Sequence, residues 1–218
     1  MSERAMEIVE GRRRTRATPR WWSDYAKDFA RYRDHRPGAS VLTLMATEQG
    51  LWALLTYRTA HALRAAGLPS GIAGPATLAM GIAEKLVEIV TGITLPSRAR
   101  IGAGLYIGHH GNIIVHEDAV IGATCNLSQG VTIGTSGRGA ARGAPHIGDR
   151  VYIATNAVVA GNIAVGDEAV IAANSLVTRD VEARTTVMGV PARLVKRRGS
   201  FGYIGGEAGL EFDDTSDV

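Results

Sequence analysis

Residues 115–134, VHEDAVIGATCNLSQGVTIG, are followed after an insertion by residues 147–177, IGDRVYIATNAVVAGNIAVGDEAVIAANSLV. Both stretches repeat every six residues. Aliphatic anchors stand at Val115, Ile121, Leu127 and Ile133, then at Ile147, Ile153, Val159, Val165, Ile171 and Val177. Four residues past most anchors comes a second small or branched residue, among them Ala119, Cys125, Val131, Ala157, Ala169 and Ser175. An α-helix cannot produce this pattern, because six steps of about 100° leave the side chain about 120° away from its starting face. A half-buried sheet would show period two without a fixed small residue. Short parallel strands wound into a solenoid do produce it, since equivalent residues then stack at the strand spacing of about 4.8 Å. Six-residue periodicity is a signature of the parallel β-helix.

The period extends upstream to Ile101 and Ile107, after which the spacing shifts by two residues before Val115. With 218 residues, 45% hydrophobic and 21% charged, the chain can bury a full core as one soluble domain with a smaller attachment. A net charge of +3 is too small to argue for nucleic acid. One cysteine excludes an internal disulfide framework, and Cys125 takes a small core position in its repeat.

Ahead of the repeats, residues 1–20 carry six arginines and few apolar side chains, which predicts a solvated basic arm. They contain no apolar run of the secretory kind, and Glu3, Glu7 and Glu10 count against a mitochondrial presequence. Residues 21–93 predict a helical domain: one helix carrying Trp22, Tyr25, Phe29 and Tyr32, a second over about 40–66, and a third over about 76–90. Glu84, Lys85 and Glu88 interrupt the third, so it packs on protein rather than spanning a membrane. The fold class is therefore α+β, with a helical bundle leading into a β-helix over residues 94–195 and a tail over 196–218. The bundle has a physical use there, because the first coil of a solenoid leaves a strand edge unpaired.

Two interruptions of the repeat are the places to look for chemistry, since insertions in a rigid scaffold carry binding groups. One is Gly108-His109-His110-Gly111-Asn112, where the two histidines, taken as extended chain, point to opposite sides. The other is the loop of residues 135–145, rich in glycine, alanine and arginine.

Residues 101–196 and much of 40–100 resemble the serine O-acetyltransferases among the hexapeptide-repeat acyltransferases. The resemblance is carried by IGAGLYIGHHGNIIVHEDAVIGATCNLSQGVTIG, the glycine-rich loop, IGDRVYI, AGNIAVGDEAVIAANSLVTRDV and GVPARLV, with TEQGLWALLTYRTAHAL before them. It implies a left-handed parallel β-helix, an exception to the usual right-handed crossover. It also implies trimers or dimers of trimers, acetyl-CoA as cosubstrate between neighbouring subunits, no metal, and a cytoplasmic enzyme of cysteine synthesis. Its histidine general base falls on His109. Serine hydroxyl is a weak nucleophile near neutral pH, and an imidazole titrating near ~6.5 is suited to take its proton.

By the same resemblance, Asp34 and Arg142 are the acceptor-binding candidates. Ala154, Thr155, Ala172 and Ala173 would line the pantetheine arm, and Arg193 and Lys196 would meet the phosphates. Val218 would be the anchor of a tail that enters a sulfhydrylase. The chain departs from the pattern at Thr94, where the family has an acidic partner for the base, at Gly108, and at Gly143-Ala144, where the family has Arg-His. These departures leave open a different hydroxyl acceptor, such as a sugar or a specialised amino acid. A non-catalytic scaffold that binds a sulfhydrylase is another class. A third, a zinc enzyme of carbonic anhydrase type, has His109, His110, His116 and His146 but lacks the close His-x4-His pair.

Overall fold

The computed structural model describes residues 21–138 and 142–204. Helices α1 (Trp21–His35), α2 (Val41–Thr47), α3 (Gln49–Ala65) and α4 (Ser70–Thr91) precede fifteen short strands. The single helix expected over 40–66 is two, because Glu48 between them is extended, with φ −100° and ψ 93°. There the Arg36 guanidinium holds the Thr47 hydroxyl at 3.1 Å and the Glu48 carboxylate at 2.6 Å. The helix expected over 76–90 is α4, which starts at Ser70 and contains Pro75. Among the described residues no helix is long and apolar enough to cross a membrane.

Three parallel sheets form the sides of a prism. The first stacks β1 (Ile93–Thr94), β4 (Ile113–Val115), β7 (Thr132–Gly134), β10 (Val158–Ala160) and β13 (Leu176–Val177). The second holds β2 (Arg100–Ile101), β5 (Val120–Ile121), β8 (His146–Ile147) and β11 (Ala164–Val165). On the third lie β3 (Tyr106–Ile107), β6 (Asn126–Leu127), β9 (Tyr152–Ile153), β12 (Val170–Ile171), β14 (Thr186–Gly189) and the antiparallel β15 (Ala192–Lys196).

The six-residue anchors are the residues that point inward. Ile107 stacks on Leu127, Leu127 on Ile153 and Ile153 on Ile171, each at most 1% exposed. The second residue of each repeat fills the turn: Ala119, Cys125, Val131, Val151, Ala157 and Ala169 are fully or almost fully buried. Many corners pass through the left-handed region, at Asn112, Thr124, Arg150, Asn156, Glu168, Asn174 and Arg184. Asparagine takes three of these places, as its short polar side chain tolerates that conformation.

The exposed backbone edge of the first coil is closed by side chains from α1 and α3. Tyr32 Oη accepts from Ile107 N and donates to Ile107 O, both at 3.1 Å. Tyr57 Oη does the same between Ile101 N, at 3.0 Å, and Ala99 O, at 2.9 Å. Asp28 Oδ1 accepts from Gly104 N and Leu105 N at 2.7 and 3.0 Å. Arg58 bonds the carbonyls of Ile101 and Gly102 and closes a two-bond fork on Asp28 at 2.8 and 3.0 Å. Asp28 and Arg58 are both almost completely buried. Burial pushes the Asp28 carboxyl up, against the pull of Arg58 and the two N–H groups. Helices and prism therefore share one core, running from Tyr25 and Leu54 through Ile107 to Val187.

The chain beyond β15 turns back onto the third sheet. Ser200 is buried and its hydroxyl donates to Arg150 O; Ile204 is also buried. Tyr203 stacks on Tyr152 with ring centroids 4.9 Å apart, and its carbonyl accepts from Asn126 Nδ2 at 3.1 Å. The first residues of the expected tail are thus packed, while Val218 lies outside the described residues.

Candidate active site

His109 and His110 lie in the turn that joins β3 on the third sheet to β4 on the first, and both are exposed. The chain bends at His109. The turn rests on the C-terminal end of α4. Gly111 N donates to Thr91 O at 3.0 Å, and Ile113 N donates to Gly92 O at 2.9 Å. Gly92 caps the helix with φ 66°, and a Cβ there would lie 3.0 Å from Asn112 N and 3.1 Å from Gly111 Cα. Only glycine meets both demands at this point. Sequence reading passed over it, although a glycine closing an apolar helical run is a C-cap signal.

The same edge of the prism carries the small residues of the later coils. Ser128, Ala154 and Ala172 follow β6, β9 and β12, and their N–H groups donate to Ile153, Ile171 and Val187 at 2.9–3.0 Å. Two residues further on, Gly130 N donates to Gly111 O, Asn156 N to Gln129 O, and Asn174 N to Thr155 O, all at 2.9–3.0 Å. The His109 turn, Gln129, Thr155 and Ala173 therefore form one column along one corner. With rungs about 4.8 Å apart, the column runs for roughly 15 Å. Ala154 is buried, Thr155 and Ala172 are half-buried and Ala173 is exposed, so this corner carries little side-chain bulk. At its far end Arg193 and Lys196 are exposed on β15.

The remaining sequence candidates sit elsewhere. Asp34 is exposed near the end of α1. Arg142 is exposed on the loop joining β7 to β8, which is the corner between the first and second sheets. The base of that loop is closed by a pair of hydrogen bonds between Ser136 and Gly143, at 3.1 and 3.2 Å. A Cβ on Gly143 would stand 2.6 Å from Asn162 Cβ, and Ala144 is 6% exposed. Neither position has room for a large polar side chain in this packing. Thr94 pairs with Ile114 on the first sheet. Among the described residues there is no group of three or more His, Cys, Asp or Glu arranged to hold a metal.

A three-sided parallel β-helix with a histidine turn and a column of small residues on one corner defines a hexapeptide-repeat transferase. Residues 144–179 match the family model described as bacterial transferase hexapeptide, six repeats. Among curated relatives, the serine acetyltransferase of Synechococcus elongatus is 32% identical over 175 residues, 80% of this chain and 68% of its own length. The crystal structure of Neisseria gonorrhoeae serine acetyltransferase in complex with serine matches with a TM-score of 0.68 and 30% identity, covering 81% of this chain and 69% of that one. That of the Brucella abortus enzyme in complex with coenzyme A matches with a TM-score of 0.70 and 29% identity, covering 83% and 70%. The chain belongs to the serine acetyltransferase family.

Proposed function

We propose that the protein transfers the acetyl group of acetyl-CoA to the hydroxyl of L-serine, giving O-acetyl-L-serine for cysteine synthesis in the cytoplasm. The observation that carries this reading is the single corner shared by the His109 turn and the small-residue column. A pantetheine arm laid on Ala154, Thr155, Ala172 and Ala173 ends its thioester beside His109, with its phosphates toward Arg193 and Lys196. His109 takes the serine hydroxyl proton as the oxygen attacks the thioester carbon, and returns it to the departing CoA sulfur. No atom is gained or lost between the two substrates and the two products. The C-terminal end of α4 lies against this turn, and its negative dipole end favours the transient imidazolium by up to about 1 kcal/mol. That is a partial substitute for the carboxylate that Thr94 replaces.

Acceptor contacts are assigned to Asp34 and Arg142, the latter through a bidentate guanidinium–carboxylate pair. Arg142 and His109 stand on different corners of one prism, so a site that uses both draws them from two copies of the chain. This supports a homotrimer with three equivalent sites, alone or doubled. The close packing at Gly143 and Ala144 favours a second reading, in which the acceptor is a different hydroxyl compound.

Release of CoA thiol, followed with L-serine, homoserine and sugar acceptors, tests the assignment. Serine-dependent release with a kcat/KM well above the other acceptors is the expected result. Release only with another acceptor selects the second reading, and no release with any acceptor favours a scaffold that binds a sulfhydrylase.

A further inference from the structure

A second imidazole stands beside the His109 turn and has so far been given no part. His35, the last residue of α1, lies flat on Tyr106, with ring centroids 4.0 Å apart and planes 13° apart. Tyr106 projects from the outer face of β3, and its ring edge borders Gly108, where an added Cβ would be 3.1 Å from Cε1. The Tyr32 ring, with its centroid 4.8 Å away, and the Arg31 guanidinium, 5.9 Å from the ring centroid, hold Tyr106 in place. Only the Tyr106 ring therefore separates His35 from the residue preceding His109.

The protonation pattern of His35 follows from one contact. Its Nδ1 is 2.7 Å from the carbonyl oxygen of Arg31. A carbonyl only accepts, so Nδ1 carries the hydrogen and Nε2 of the neutral ring presents a lone pair. The residue is exposed, and among the described residues Nε2 has no hydrogen-bond partner.

We infer that His35 selects the acceptor by accepting, at Nε2, a hydrogen bond from its ammonium group. This rests on the serine acetyltransferase reading above. A hydrogen bond to a charged donor is worth about tenfold or more in affinity. Its loss is read as discrimination between L-serine and 3-hydroxypropanoate, which keeps the hydroxyl and carboxylate and lacks the ammonium.

The variant His35→Phe retains a flat ring on Tyr106 and removes the nitrogen. Expected is a serine kcat/KM about tenfold lower, carried by KM, with the KM for acetyl-CoA and the rate on 3-hydroxypropanoate unchanged. His35→Gln, whose amide carbonyl can accept, recovers part of the serine preference. An unchanged serine preference in His35→Phe, or a parallel fall on both acceptors, overturns the inference and leaves the acetyltransferase reading standing. Absence of serine-dependent CoA release by the wild-type enzyme defeats the reading itself, and this inference with it.

Discussion

The helix-covered edge of the first coil and the corner that bears His109 are built on the same turn of chain, yet they treat polar groups in opposite ways. At the edge, Asp28, Arg58, Tyr32 and Tyr57 are buried, and each is bonded to backbone groups of residues 99–107. At the corner, His109, His110 and His35 are exposed. Saturated polar groups hold structure, whereas exposed ones beside a corner of small side chains are available to a substrate. Burial and partners, not residue type, separate the two roles.

Mutations can sharpen that contrast. Asp28→Ala strands the Arg58 charge in the interior and is expected to cost about 3–5 kcal/mol of stability, read by denaturant melting. Activity should be lost only in proportion to unfolding. Tyr32→Phe removes both bonds to Ile107 and should cost about 1–3 kcal/mol in the same melt. Ala172→Leu should leave stability nearly unchanged and raise the KM for acetyl-CoA about tenfold, the equivalent of ~1.4 kcal/mol, while the serine KM stays put. Lys196→Ala, at an exposed cation, should raise the acetyl-CoA KM by roughly threefold and lose that effect in high salt.

The capped edge also predicts a pH response. Burial pushes the Tyr57 phenol up to about 12 and that of Tyr32 further still. Unfolded tyrosines titrate near ~10, so above that pH the unfolded chain releases protons that the folded chain retains. The stability these phenols contribute is present below about pH 10 and is lost as pH rises toward 12. Tyr57→Phe should flatten the fall, whereas substitutions at His109 should not.

The prism was legible in the sequence because a six-residue repeat admits few folds, and its anchors are the residues found inside. The helical cap was legible only in outline. Tyr25, Asp28, Arg31 and Tyr32 form one stripe of α1, but the backbone partners of its two charges lie 70 or more residues away. Spacing within a helix carries no sign of such a distant edge. His109, Ala154 and Ala172 were singled out through the family resemblance. Gly92 and His35 were not, because their importance lies in contacts with Asn112 and Tyr106 that sequence separation hides. The break at Glu48 was missed for a related reason, since the Arg36 side chain that bonds Thr47 and Glu48 there lies 11 and 12 residues upstream.

The central claim is that His109 is the proton acceptor at an otherwise structural corner. Single-turnover acetyl transfer to L-serine by His109→Asn, alongside its denaturant melt, tests this most directly. The account predicts a rate lower by about 10²- to 10⁴-fold with an unchanged melt. A rate within a few-fold of wild type would contradict it.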